Sequence, residues 1–100
     1  MDSAHVEHDL VDILFTEAQI QARLQEMADR ISADYQGQDL LMVGVLRGAV
    51  MVMADLARSL DRHVEMDWMA VSSYGSGTKS SGVVRILKDL DTDISGRDVL

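Results

Sequence analysis

Seven consecutive residues, Leu40-Leu41-Met42-Val43-Gly44-Val45-Leu46, carry no polar side chain, and this run constrains the fold more than any other part of the chain. It is too uniformly apolar for a strand with one face in water and too short for a buried helix. It therefore reads as a central strand covered on both faces, the pattern of a parallel sheet. After Arg47-Gly48, the residues Val50, Met53, Leu56, Ala57 and Leu60 recur at helical spacing and predict a helix over 49–60. Val64 to Val71 returns to extended character, with Trp68 placed as a core aromatic. Strand, helix and strand within about 30 residues make a βαβ unit, right-handed in nearly all proteins. The fold class is α/β.

Upstream, the chain announces a helix. Thr16 is positioned to cap it while Gln19 reaches back in a capping box, and Phe15 and Ile20 bracket the cap as a hydrophobic staple. Ile20, Leu24, Met27, Ala28 and Ile31 then form one apolar stripe over 17–34, and Glu26 and Arg30 are spaced as an i,i+4 ion pair on the other face. Gly37 supplies the stop. Residues 1–14, acidic and polar at the start, read as a flexible tail without the basic and apolar regions of a signal peptide. Residues 15–100 form the domain.

With 17 acidic against 9 basic residues, the net charge of −8 opposes binding to nucleic acid. Any phosphate the chain binds must be held locally. The longest apolar stretches fall short of the ~20 residues that span a bilayer, so no membrane partner is expected. The absence of cysteine removes disulfides and thiolate metal sites and permits a reducing compartment, so cytoplasm is the expected location.

The residues Ser72-Ser73-Tyr74-Gly75-Ser76-Gly77-Thr78-Lys79-Ser80-Ser81-Gly82 contain no aliphatic side chain and three glycines, yet lie between two apolar runs. A polar stretch this long in a compact domain is a lid, a binding loop, a linker or a mobile hairpin connection. As a lid it is expected to stay mobile over 74–82 until a ligand orders it. It is not a P-loop, because Thr78 stands where glycine should precede Lys79 and β-branched Val83-Val84 follows in place of a helix. Val83 to Leu87 predicts a third strand. Asp89, Asp91 and Asp93 alternate as in a calcium loop, but Ile94 occupies the glycine position, which leaves a solvated acidic turn. Asp98-Val99-Leu100 reads as the start of a fourth strand, and a chain that stops inside an apolar run is expected to be the front half of a longer fold.

Leu46-Arg47-Gly48 is the better anion site. It lies at the carboxyl end of the predicted central strand, where open α/β sheets place their ligand crevices. A glycine there lets the backbone approach an anion, and the following helix aims free N–H groups at it. Arg47 adds a forked donor; the competing reading is an ordinary turn with a surface arginine. His5, His8 and His63 are scattered and receive no role, and the seven methionines fall mostly on core-facing positions.

Taken together, Val43-Gly44-Val45-Leu46-Arg47-Gly48-Ala49, the Ser72-Ser73-Tyr74-Gly75 loop through Gly82, and Val84-Arg85-Ile86-Leu87-Lys88-Asp89-Leu90-Asp91 resemble the N-terminal portion of the bacterial hypoxanthine-guanine phosphoribosyltransferases, from about Ile13 to the last residue. The resemblance implies an open, mainly parallel sheet flanked by helices and incomplete at its C-terminus. It implies transfer of the 5-phosphoribosyl group from phosphoribosyl pyrophosphate to N9 of hypoxanthine or guanine, with magnesium, in a homo-oligomer. In that family the turn corresponding to Leu46, Arg47 and Gly48 binds pyrophosphate, often with a non-proline cis peptide before the basic residue. The residues corresponding to Ser73 and Tyr74 close over the reacting centre. Arginine at 47 departs from the commoner lysine. The ribose-binding acidic motif and the base-reading residues would lie after Leu100, and no metal ligand is expected within the segment. The 100 residues alone are thus expected to lack the transfer activity; the alternative is a truncated, non-catalytic relative that binds pyrophosphate or a protein partner.

Overall fold

The computed structural model describes residues 6–74 and 83–100, so the glycine-rich loop at 75–82 and the mobility expected of it lie outside the described residues. After a 3-10 turn at Glu7–Asp9 come helix α1 (Glu17–Asp34), strand β1 (Leu40–Leu46), helix α2 (Val50–Ser59), and strands β2 (Val64–Tyr74), β3 (Val83–Lys88) and β4 (Asp98–Val99).

Helix α1 starts as its sequence dictates. The Gln19 amide donates to the Thr16 hydroxyl at 3.2 Å, and the Thr16 amide donates back to the Gln19 side chain at 2.8 Å. The helix closes at Tyr35, and Gly37 takes φ +76 in the turn beyond, a conformation that costs other residues about 1–2 kcal/mol. The last turn of α1 carries no basic residue; instead Arg62, 27 positions on, donates to the part-buried carbonyl of Tyr35, which also accepts the Gln38 amide at 3.0 Å. The expected Glu26–Arg30 pair does not form. Glu26 meets Arg23 at 2.8 Å, toward the helix N-terminus where helical side chains lean, and Arg30 lies 3.8 Å from Asp34.

The four strands run in the order β3-β2-β1-β4. β1 is central, as its composition requires. It pairs parallel with β2 along its whole length, Leu40↔Val64 through Leu46↔Ala70, and parallel with β4 at Leu40↔Asp98 and Leu41↔Val99. Leu100 continues that ladder, donating to the Leu41 carbonyl at 2.9 Å and accepting from the Val43 amide at 2.8 Å. β3 joins β2 antiparallel.

Strand β2 runs three residues past the expected end, so Ser72, Ser73 and Tyr74 belong to a strand and not to the loop. The reason is that a ladder is built from backbone groups; a two-stranded arm with water on both sides accepts serine as readily as valine. The arm begins where β1 ends. Ala70 pairs with Lys88 but Val71 pairs with Ile86, which leaves Leu87 as the extra residue of a bulge at that point. Val84, Ile86 and Leu87 are all exposed.

Leu24 and Ala28 of α1, Met53 and Leu56 of α2, and Leu60 join Leu40 and Met42 in one buried cluster, with Val64 and Trp68 packed against it. Because side chains alternate along a strand, both helices cover the same face of the sheet. The α1 stripe is only partly used: Ile20 and Met27 remain exposed. The Cα radius of gyration is 17.0 Å, against about 13 Å for a compact domain of this size. Beside Val43, Val45, Ala49 and Val52, an open apolar groove of about 280 Å³ runs where β4 stops covering β1.

The other face carries Leu41, fully buried, and Asp67, 6% exposed. Asp67 accepts the amides of Asp91 at 3.0 Å and Thr92 at 2.9 Å, and that of its neighbour Trp68 at 2.8 Å. The acidic turn therefore keeps its own carboxylates in water but lays its backbone on the sheet. The Thr92 amide above all, with those of Trp68 and Asp91, holds the Asp67 carboxyl below its ordinary value of 3.8 against the opposing pull of burial.

Because the folded value is the lower one, the stability Asp67 contributes is fully present above 3.8 and is lost as pH falls through the folded value. Asp67→Asn is therefore expected to flatten the acid limb of a stability profile taken by urea unfolding from neutral pH to about pH 2. On the helix-covered face, a Cβ built on Gly44 would lie 2.5 Å from the Trp68 ring. Gly44→Ala should therefore lower stability by about 1–3 kcal/mol, read from the shift in unfolding midpoint at unchanged slope.

Candidate functional site

Each residue singled out around the turn arrives there for a local reason. β1 ends at Leu46 because the partner strand is already leaving with the bulged arm after Ala70. The peptide bond from Leu46 to Arg47 is cis. Arg47 is exposed, and its guanidinium makes no hydrogen bond or ion pair with any described residue. Its five donors face water in a chain of 17 carboxylates. Gly48 is exposed, and a Cβ added to it meets nothing within 4 Å. Its backbone φ lies outside the left-handed range, so the turn itself does not require glycine.

Helix α2 then begins without protection. Its N-cap is Ala49, which makes no side-chain capping bond, and its first turn holds no acidic residue. Alanine is among the poorest N-caps, costing about 1 kcal/mol relative to serine, threonine or aspartate. The Val50 amide turns back to the Arg47 carbonyl at 3.1 Å, and the next two N–H groups, those of Met51 and Val52, are left to solvent or to a ligand at the positive end of the helix dipole. A free guanidinium, a glycine with open space where a side chain would stand, and an uncapped helix start converge at the carboxyl edge of the central strand. That arrangement accepts a multiply charged anion.

Ser73 and Tyr74 reach the same end of the sheet along β2, paired through their backbones with Val84 and Val83. Ser73 stands three residues beyond Ala70, the partner of Leu46, or about 10 Å of strand. The structure thus brings all five sequence-selected residues to one edge, with Leu46, Arg47 and Gly48 contiguous and Ser73 and Tyr74 on the projecting arm. Sequence reasoning missed Asp67. Its signal was the alternation of Glu65 and Asp67 in an otherwise apolar strand, which puts two carboxylates on one face where a core strand has none.

Residues 11–100 match the family described as the phosphoribosyl transferase domain. The chain belongs to that family. Among relatives of this phosphoribosyl transferase domain, the hypoxanthine-guanine phosphoribosyltransferase of Mycobacterium tuberculosis (strain CDC 1551 / Oshkosh) is 56% identical over 98 residues, covering 92% of this chain and 48% of the relative. That of Streptococcus thermophilus (strain CNRZ 1066) is 50% identical over 95 residues, covering 95% of this chain and 53% of the relative. The crystal structure of a hypoxanthine phosphoribosyltransferase from Staphylococcus aureus superposes with a TM-score of 0.87 at 43% identity, covering 95% of this chain and 52% of that one. The chain spans about half the length of the curated relatives it matches.

No group of three or more histidine or carboxylate side chains comes together as a metal site among the described residues. They hold no built site for the magnesium that the resemblance implies. No helix among them is long and apolar enough to cross a membrane.

If Arg47 and Gly48 serve a ligand and not the fold, Arg47→Ala and Gly48→Ala should each leave stability within about 0.5 kcal/mol of the parent. Denaturant midpoints check this directly. A loss of several times that amount at either position would make the turn a structural element of the phosphoribosyl transferase domain.

Proposed function

We propose that the full-length protein transfers the 5-phosphoribosyl group from phosphoribosyl pyrophosphate to hypoxanthine or guanine, releasing pyrophosphate, as an enzyme of purine salvage. The observation that carries this reading is the unengaged Arg47 guanidinium beside Gly48 and the uncapped start of α2. The sequence identity of 50–56% to named hypoxanthine-guanine phosphoribosyltransferases supports it.

The chemistry asks two things of these residues. As the bond from the ribosyl carbon to pyrophosphate breaks, negative charge gathers on the leaving group while the sugar takes on oxocarbenium character. Arg47 and the free amides of Met51 and Val52 at the start of α2 stabilise that leaving charge, and Gly48 lets the phosphoryl oxygens come up against the backbone. The ribosyl carbon must also be kept from water until N9 of the purine attacks it. Ser73 and Tyr74, on the arm beside the turn, are assigned to closing that space. Leu46 positions the turn by holding the last register pair of β1. Magnesium and a homo-oligomeric state in the cytoplasm belong to the same proposal; sedimentation of the full-length protein tests the oligomer.

In the full-length enzyme, Arg47→Ala is expected to lower kcat/KM for phosphoribosyl pyrophosphate by about 10- to 1000-fold, the range for one charge-assisted contact to a leaving group. Gly48→Val should be at least as damaging, because its side chain fills the space left for the anion. Purine-dependent release of pyrophosphate is the assay. Near-parental turnover in both variants removes the turn from the mechanism, and a full-length protein that binds pyrophosphate without purine-dependent release is the non-catalytic relative.

A further inference from the structure

Asp67 is the buried charged residue among the described residues, and the phosphoribosyl reading makes no use of it. It lies under the connection from β3 to β4. β3 and β4 are the two outer strands of the sheet, so residues 89–97 must cross both β2 and β1. They also descend the sheet: Lys88 is level with Ala70 and therefore Leu46, whereas Asp98 is level with Leu40. With strands about 4.8 Å apart and about 3.3 Å of rise per residue, the span is roughly 24 Å, while ten peptide steps reach roughly 34 Å. The surplus exceeds one residue of strand register. Chain length therefore does not choose where β4 docks, and a slip of one residue would turn its side chains to the wrong face.

Polar contacts supply the choice. Asp67 takes the amides of Asp91 and Thr92. Lys88 closes the near end, donating to the carbonyls of Trp68 at 2.9 Å and Asp89 at 3.0 Å. At the far end, Arg97 meets Glu65 at 3.2 Å, on the same face of β2 as Asp67. That last pair is largely exposed on the glutamate side and contributes little by itself. The buried carboxylate is the stronger hold, because removing it strands the two crossover amides and that of Trp68 together.

We propose that Asp67 is a positioning residue that pins the β3–β4 crossover to the second face of the sheet and so sets the register of β4 against β1, a role independent of which ligand the Arg47 turn takes. The consequence is local. Without the carboxylate, the crossover lifts and β4 loosens from β1, while the β1–β2 ladder, held by the helices on the opposite face, keeps its protection.

Amide hydrogen exchange in the full-length protein tests this, comparing the parent with Asp67→Ala and the isosteric Asp67→Asn, which keeps one acceptor oxygen. In Asp67→Ala the amides of Asp91, Thr92, Leu100 and Val43 are expected to exchange at least about tenfold faster, with amides of the β1–β2 ladder within about threefold of the parent. Asp67→Asn should fall between, with the same selectivity. If Asp67→Ala does not fold, Asp67→Asn decides by the ratio of acceleration at Leu100 and Val43 to that in the β1–β2 ladder. Equal acceleration across all sheet amides, or none at Leu100 and Val43, overturns the proposal and leaves Asp67 as a general contributor to stability.

Discussion

The burial of β1 is the constraint from which the rest follows. Leu40, Leu41 and Met42 expose 1%, 0% and 1% of their surface, so the first half of this short strand is shut off from water on both faces. Each such side chain contributes about 1.5–3 kcal/mol relative to exposure. That burial is possible only if a strand lies on each side and cover lies on each face. β2 and β4 satisfy the first demand, the paired helices and the 89–97 crossover the second. Where cover fails, at Val45, exposure rises to 43%, and it is here that the strand gives way to the Arg47-Gly48 turn.

The two helices begin in opposite ways. α1 satisfies its first amides with a reciprocal cap, and an acidic residue stands in its first turn. α2 does neither. In a chain with a net charge of −8, a helix start free of carboxylates and preceded by an arginine whose guanidinium pairs with no described residue is a local reversal of sign. The positive end of the α2 dipole lies at the carboxyl edge of the central strand, and an anion is the species that such a start can take up.

Much of this was legible in the sequence because each element had a single dominant cause. The apolar run fixed β1 to the residue, the Thr16–Gln19 box fixed the start of α1, and the turn at Leu46 to Gly48 was visible from its place between β1 and the helical spacing of α2. What escaped depended on partners distant in sequence. The length of β2 is set by backbone pairing with β3, which needs no apolar side chain, so three residues were assigned to the loop. The partner of Glu26 depends on the direction in which a side chain leans. Asp67 looked like an ordinary polar position because its partners lie 24 and 25 residues away, and Arg62 gave no sign of finishing a helix 27 residues upstream.

At the Arg47-Gly48 turn, nothing in the surrounding packing demands either residue. A lineage released from the need to bind an anion would lose this turn by single substitutions that folding does not resist. Position 49 is equally open to change: an aspartate there would bring negative charge to the positive end of α2, where the anion is proposed to sit. Proteins of this fold can therefore fall silent without becoming unstable, and such silent descendants would be as soluble and well expressed as their active forebears.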